Sequence, residues 1–543
     1  MSQETKKPSI ARSAAVMGVA TFFSRIAGLV REQTFAYLFG AGIWTDAFNV
    51  AFRIPNLLRD LFAEGAMSAA FVPTFNGILE KDGQQKAFRL TNLTFCAILV
   101  VVGMLTLVGI IASPLLVSTL APEFTSNPEK FEVTVTMTRI MFPFLLAVSW
   151  AAISMGILNS LGEFFIPAIA PVFLNLSMIL AGWLICPFAK EFDMPAITGM
   201  AIGAMLGGLL QFAVQLPALF RYGYRFRWQL NFKDPGIQRI IKLIIPGTVG
   251  LAATQINIAI STILATSQGE GAVSWLGYAF RVMQLPLGLF GVAVAQATLP
   301  VISRQIAAGD RDGMGQTLAG SIRLSSFINL YACFAIMALA EPVVRIIFQH
   351  GRFTAADTTA TAIALQAYAV GLLFYSLIKI LGPAFYTLDE TKVPVMASIT
   401  AVVVNIVLNL VLVHPFGYWG LALSTGIGAM FNAGILYFML EKRIGSFSRF
   451  SLMPAMARIF AATAASGIVS ALVYRFASPL LGANISMLPV GGFFNALTAM
   501  LVAVIAGLAA LYLVSLLLKI EEADKAAEMV LRRLKRRKPQ PAA

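Results

Sequence analysis

Between Asp46 and Glu64 polar residues recur at helical spacing inside an otherwise apolar run. They are Asp46, Asn49, Arg53, Asn56, Asp60 and Glu64, and the steps between them are 3, 4, 3, 4 and 4. That spacing predicts one face of an α-helix. At 1.5 Å per residue the stripe would extend about 27 Å, close to the ~30 Å hydrocarbon thickness of a bilayer. Charges cannot face lipid cheaply, so the stripe predicts a wet cavity or ion pairs inside a bundle. It lies within a longer block, Phe22 to Pro73, which also carries Arg25, Arg31, Glu32 and Arg59. A soluble amphipathic helix would show the same spacing; the rest of the chain decides against it.

The hydropathy pattern predicts fourteen apolar segments, near 10–39, 43–79, 88–120, 132–160, 165–187, 195–221, 237–266, 273–305, 319–348, 357–387, 392–413, 417–441, 454–478 and 488–518. All should be helices, because an open strand edge cannot sit in lipid. Pro55, Pro143, Pro171, Pro217, Pro246, Pro286 and Pro383 fall inside or near the ends of these segments. Each predicts a lost backbone bond and a local bend. Connections alternate in charge. One set holds Lys81, Lys86 and Arg89, then Arg221 to Lys242, Arg304 and Arg311, Lys442 and Arg443, and the tail. The other set, at 40–45, 121–132, 189–195 and 267–271, is neutral or acidic. The excess of Lys and Arg on one side predicts that both termini lie in the cytoplasm. The first apolar run continues past Arg25 and Arg31 with no small-residue cleavage site, which predicts a retained helix rather than a signal peptide.

Composition agrees. Of 543 residues 58% are hydrophobic and 12% charged, against roughly 25% charged in soluble domains. Mean hydropathy is +0.79. The net charge of +14 would suit a nucleic-acid partner, but in a polytopic protein Lys and Arg mark loops beside anionic lipid. No nucleic-acid partner is expected, and LRRLKRRK (Leu531 to Lys538) reads as a basic juxtamembrane helix. Cys96, Cys186 and Cys333 lie far apart, and His350 and His414 stand at segment ends; none has metal-site or disulfide spacing.

The pattern also repeats. AFRIPNLLRDLF (Ala51 to Phe62) matches AFRVMQLPLGLF (Ala279 to Phe290), with Arg53 and Arg281 228 positions apart. NSLGEFFIP (Asn159 to Pro167) matches YTLDETKVP (Tyr386 to Pro394) at an offset of 227. A common offset predicts duplication of a six-helix unit, the two halves sharing one orientation in the membrane. The expected fold class is an all-α polytopic membrane protein of about 14 transmembrane helices. It has two six-helix lobes related by a parallel repeat, plus two extra C-terminal helices. The expected divisions are 1–230 and 231–445 for the lobes, 446–520 for the last two helices, and 521–543 for the basic tail.

FSRIAGLVRE, FGAGIWTDAFNVAFRIPNLLRDLFAEGAMSAAFVP, SWLGYAFRVMQLPLGLFGVAVAQATLP, FQHGRFTAADT and PAFYTLDETKVPV resemble the bacterial lipid II flippase family MurJ, also called MviN. The family sits in the multidrug/oligosaccharidyl-lipid/polysaccharide exporter superfamily. The resemblance covers nearly the whole chain. It implies two lobes around a central cavity, with the last two helices forming a lipid-facing groove. It also implies transport of undecaprenyl-diphosphate-linked disaccharide pentapeptide, lipid II, from the inner to the outer leaflet by alternating access. The family's cavity arginines fall on Arg25, Arg31, Arg59 and Arg281, with Arg53 and Asn56 as further substrate-binding candidates. Asp46, Glu64 and Glu32 fall among gate elements or charge partners. Phe280 and Gln284 stand where some members carry acidic residues. The eleventh segment offers Asn405 and Asn409, and the seventh has no carboxylate between Pro246 and Thr266, so no metal or sodium site is expected.

Arginine suits a diphosphate because its planar fork of donors matches phosphate oxygens. The same residues could instead pair with Glu32, Asp46, Asp60 and Glu64 to hold helices together. A membrane glycosyltransferase or phosphatase needs acidic metal ligands or a nucleophile with its base, and no such motif is present. A multidrug exporter of the same superfamily would favour an aromatic, carboxylate-lined pocket. An exporter of other polysaccharide-linked lipids stays open, and a division-machinery scaffold would not need charges in mid-membrane. Expected partners are lipid II, membrane lipids and cell-wall synthesis or division proteins. No cofactor is expected; the membrane potential is the expected driving force.

Overall fold

The computed structural model describes residues 10–60, 66–445, 452–482 and 490–524. Glu64, the tail from 525 onward and the basic run 531–538 lie outside them. The described chain is helical, without strands, and falls into two compact units: one made of 1–274 with 350–353, the other of 275–349 with 354–543.

The first unit holds α1 (Ile10–Phe39), α2 (Ile43–Arg59), α3 (Ala66–Asp82), α4 (Gln84–Ile111), α5 (Ser113–Leu120) and α6 (Pro128–Met141). It continues with α7 (Pro143–Ser160), α8 (Phe165–Leu184), α9 (Thr198–Ala213), α10 (Leu216–Arg221) and α11 (Pro235–Thr266). α12 (Ala272–Pro286) begins at its end. The second unit carries the rest of α12, a π-helical turn (Leu287–Gly291), α13 (Val292–Ala307), α14 (Arg311–Phe348) and α15 (Ala355–Ala369). α16 (Leu372–Thr387), α17 (Lys392–Phe416), α18 (Tyr418–Ile444), α19 (Leu452–Leu480) and α20 (Val490–Leu517) complete it.

Eleven of the described helical runs are long and apolar enough to cross a bilayer. The three other expected segments fall on α1, on α2 with α3, and on α11. Charges interrupt these apolar runs: Arg25, Arg31 and Glu32 in α1, Arg53 and Arg59 in α2, and Arg239 and Lys242 early in α11. Prolines divide several segments. α6 ends at Met141 and α7 restarts with Pro143 in its first turn; α9 gives way to α10 at Pro217 in the same way. Proline lacks an N–H, so it costs least in a first turn. In α14 the backbone leaves helical geometry at Leu339, three residues before Pro342, where the proline ring would meet the preceding turn.

Small residues set the closest approach. Gly199, Gly203 and Gly207 of α9 repeat every four residues and lie against Cys186, against Ala181 with Met178, and against Leu174. The Ser177 hydroxyl donates to the Gly203 carbonyl at 2.8 Å. Such small-residue rows let backbones meet, so that dispersion and cross-helix hydrogen bonds can act in lipid. The core of the first unit gathers Phe71, Phe75, Leu145 and Ile153, with a second cluster at Phe48, Met137, Met141 and Met200. In the second unit Met314, Leu318, Leu381 and Phe385 form one centre, and Phe327, Ile459 and Leu511 another.

Polar contacts fix the ends. After α10 the chain lies against α4, because Asn92 accepts from the Tyr224 hydroxyl (2.8 Å) and the Arg227 N–H (3.2 Å). After α20, Arg323 Nε lies 2.9 Å from the buried Glu522 carboxylate, which ties residues 520–524 to α14.

Candidate functional site

α2 exists as a helix because its apolar residues, Ala47, Phe48, Val50, Ala51 and Ile54, are buried while its polar ones share another face. The described part of the stripe does not lie in one environment. Asp46 is 1% exposed, Asn49 and Asn56 are half-buried, and Arg53 is exposed. Asn56 Oδ1 is buried without a hydrogen-bond partner among the described residues. Asp60, just past α2, is in π-helical geometry, as is Gly288 at the equivalent place 228 positions on. At its first residue the stripe is therefore closed inside the bundle rather than open to water.

Asp46 is instead closed under the start of α12. Its carboxylate accepts from the Gly271 N–H at 2.7 Å, the Ser274 N–H at 2.9 Å and the Ser274 hydroxyl at 2.6 Å. It thereby satisfies donors that a helix start leaves unpaired, at the positive end of the helix dipole. The capping is reciprocal: Glu270 Oε1 accepts from the Ile43 N–H, at the start of α2, at 3.1 Å. Lys130 Nζ stands 3.9 Å from Asp46 and 3.8 Å from the centre of the Phe124 ring. Asn49 donates to the Ser274 hydroxyl at 3.4 Å. Next to this cluster the Arg352 N–H donates to the Tyr37 carbonyl at 3.0 Å. Gly40 and Gly351 both have positive φ there, and a Cβ on either would meet the opposing backbone.

The arginines group around α1 and α2. Arg31 Nε donates to Glu32 at 3.0 Å, and both side chains are largely buried. Arg59 pairs with Asp60 at 2.8 Å. Arg25, about one and two-thirds helical turns before Arg31, is exposed. Arg281 is half-buried on α12 in the second unit, where its neighbour Phe280 packs edge-on against Tyr368 at 5.4 Å.

Sequence reading did not single out Glu270, Ser274 or Lys130. The available signal was a glutamate and a serine bracketing the start of an apolar helix, in Gly269 to Ser274. In the second unit Asn409 of α17 donates to Asn405 on the same helix (3.2 Å) and accepts from Ser424 of α18, so Asn409 bridges two helices.

An all-α protein with eleven apolar spans among the described residues, and with guanidinium and carboxylate groups held in and beside its helices, has the make-up of a polytopic membrane transporter. A family model described as lipid II flippase MurJ matches residues 35–490. A Vibrio cholerae protein named probable lipid II flippase MurJ is 38% identical over 80% of this chain and 84% of its own. A Rhizobium tropici protein of the same name is 34% identical over 98% of both chains. A solved structure described as lipid II flippase MurJ, inward closed conformation, superposes with a TM-score of 0.75 at 24% identity, covering 92% of this chain and 99% of the other. The chain belongs to the MurJ family of lipid II flippases.

Proposed function

We propose that this protein carries lipid II from the inner to the outer leaflet of the bacterial cytoplasmic membrane, by alternating access. The observation that carries the reading is a set of arginines retained in apolar helices of a chain of this family. Arg31 and Arg59 each keep an adjacent carboxylate, Glu32 and Asp60. A diphosphate entering beside them would exchange one anionic partner for another. In a site of low polarity, charge-assisted bonds of this kind are about twice as strong as neutral ones. Arg25, Arg53 and Asn56 are further candidate contacts in the first unit, and Arg281 is the candidate in the second. Asp46, Glu270, Ser274 and Lys130 act as a latch that holds the starts of α2 and α12 together in one state and releases them in another. Glu32 serves as the resting partner of Arg31, and Glu64 is a further gate candidate from the sequence. Both termini are taken as cytoplasmic, from the alternation of loop charge. Cell-wall synthesis or division proteins remain candidate partners on the resemblance alone.

The membrane potential is the proposed driving force. Outward movement of two negative charges, with the inside negative, gains about 4.6 kcal/mol per 100 mV if they cross the whole field. Return of an empty, positively charged site is favoured by the same field. Collapsing the potential at fixed pH gradient and sodium should stop outward movement. Unchanged transport, or strict dependence on sodium, would refute this driving force. The activity itself is tested by depleting the protein in cells. Lipid II should accumulate on the inner leaflet; its undisturbed arrival on the outer leaflet would refute the reading.

A further inference from the structure

The C-terminal half of α18 carries a feature outside the candidate contacts named above. Met430, Gly434, Phe438 and Lys442 follow one another at four-residue steps, and Phe431 and Met439 lie on the adjoining row. Between the rows lies a trough of about 400 Å³. Gly434 gives it depth: no atom comes within 4 Å of where its Cβ would stand. Phe431, Phe438 and Met439 are exposed along its sides, whereas Leu436 and Leu440, on the other face of the helix, are buried in the core of the unit. The trough therefore opens away from the unit that carries it.

Its dimensions and charge point to one occupant. From Met430 to Lys442 the helix rises about 18 Å, close to the ~15 Å depth of one leaflet's hydrocarbon. Every lining side chain is apolar except Lys442, which stands at the end. Among the described residues no carboxylate pairs with Lys442, while its neighbour Arg443 is taken by Glu390 at 2.8 Å. An apolar channel one leaflet deep with an uncompensated ammonium at its mouth matches an acyl chain below a phosphate. A zwitterionic lipid balances its phosphate with its own cation, so it offers Lys442 a weaker net attraction than an anionic one. We propose that this trough binds one anionic glycerophospholipid, with an acyl chain along Gly434 and the phosphate on Lys442 Nζ.

The test uses the purified full-length protein in detergent, titrated with phosphatidylglycerol or phosphatidylcholine, with retained lipid counted by native mass spectrometry. The wild type should retain one phosphatidylglycerol in preference to phosphatidylcholine. Lys442→Ala should weaken phosphatidylglycerol retention about fivefold, the effect of one basic residue beside anionic lipid. Lys442→Arg should keep it, and Gly434→Leu, which fills the trough, should lower retention of both lipids. Equal retention of the two lipids by the wild type would overturn the proposal, as would Lys442→Ala binding phosphatidylglycerol like the wild type. Displacement of phosphatidylglycerol by an equimolar polyprenyl diphosphate would assign the trough to the transported lipid and also overturn it.

Discussion

Asp46 shows how much one carboxylate can hold. Replacing it with Ala leaves two backbone N–H groups and a hydroxyl without their acceptor, at about 1–3 kcal/mol for each that stays buried. Asp46→Asn keeps one acceptor oxygen and loses the charge facing Lys130. Both variants should open the latch, with Ala the stronger. A cysteine at Asn49 should then react faster with a membrane-impermeant thiol reagent than in the parent protein. A cysteine at Phe48, packed in the core, should stay protected, and one at exposed Arg53 should react throughout. Equal labelling at all three sites would contradict the latch. For the arginines, Arg25→Ala, Arg31→Ala, Arg59→Ala and Arg281→Ala should each remove support of growth while leaving membrane insertion intact. Normal growth on all four at native expression would exclude them as substrate contacts. The polar stripe was legible because helical spacing is local. Its closure was not, because Ser274, which covers Asp46, stands 228 residues away in sequence.

At the scale of helices, the sequence marked fourteen apolar segments, and each falls on helix in the described chain. Their internal breaks were less legible. Pro143 and Pro217 mark where one expected segment becomes two helices, but Pro171 and Pro383 sit inside unbroken ones. Each proline removes the same N–H, so the local pattern does not separate the two outcomes. The row of Gly199, Gly203 and Gly207 makes a sharper case. Gly203→Leu should force α9 away from α8, because a Cβ there already meets Ala181 and the α8 backbone. The expected result is a lower thermal unfolding midpoint and loss of growth support; an unchanged midpoint would show that the two helices do not pack through this face. Asn92→Leu removes the acceptor for Tyr224 and Arg227 and should cost about 1–3 kcal/mol. Limited proteolysis within 222–234 should report it as faster cleavage.

For the whole molecule, the first compact unit runs to Ser274 and includes α11, which packs on α3. Which neighbour a helix packs on is tertiary information that a repeat in sequence does not carry, so the division of the repeat at 231 stands as a proposal about duplication rather than about packing. The central claim is that this assembly moves lipid II across a bilayer and uses arginine to do so. Its most direct test is reconstitution of the full chain into sealed vesicles with lipid II supplied on one face and a potential imposed. The quantity to measure is the share of lipid II that becomes accessible on the opposite face with time. The account predicts transfer by the wild type that rises with the potential and is lost in Arg31→Ala at equal protein content. Transfer at the protein-free rate, or equal transfer by wild type and Arg31→Ala, would contradict it.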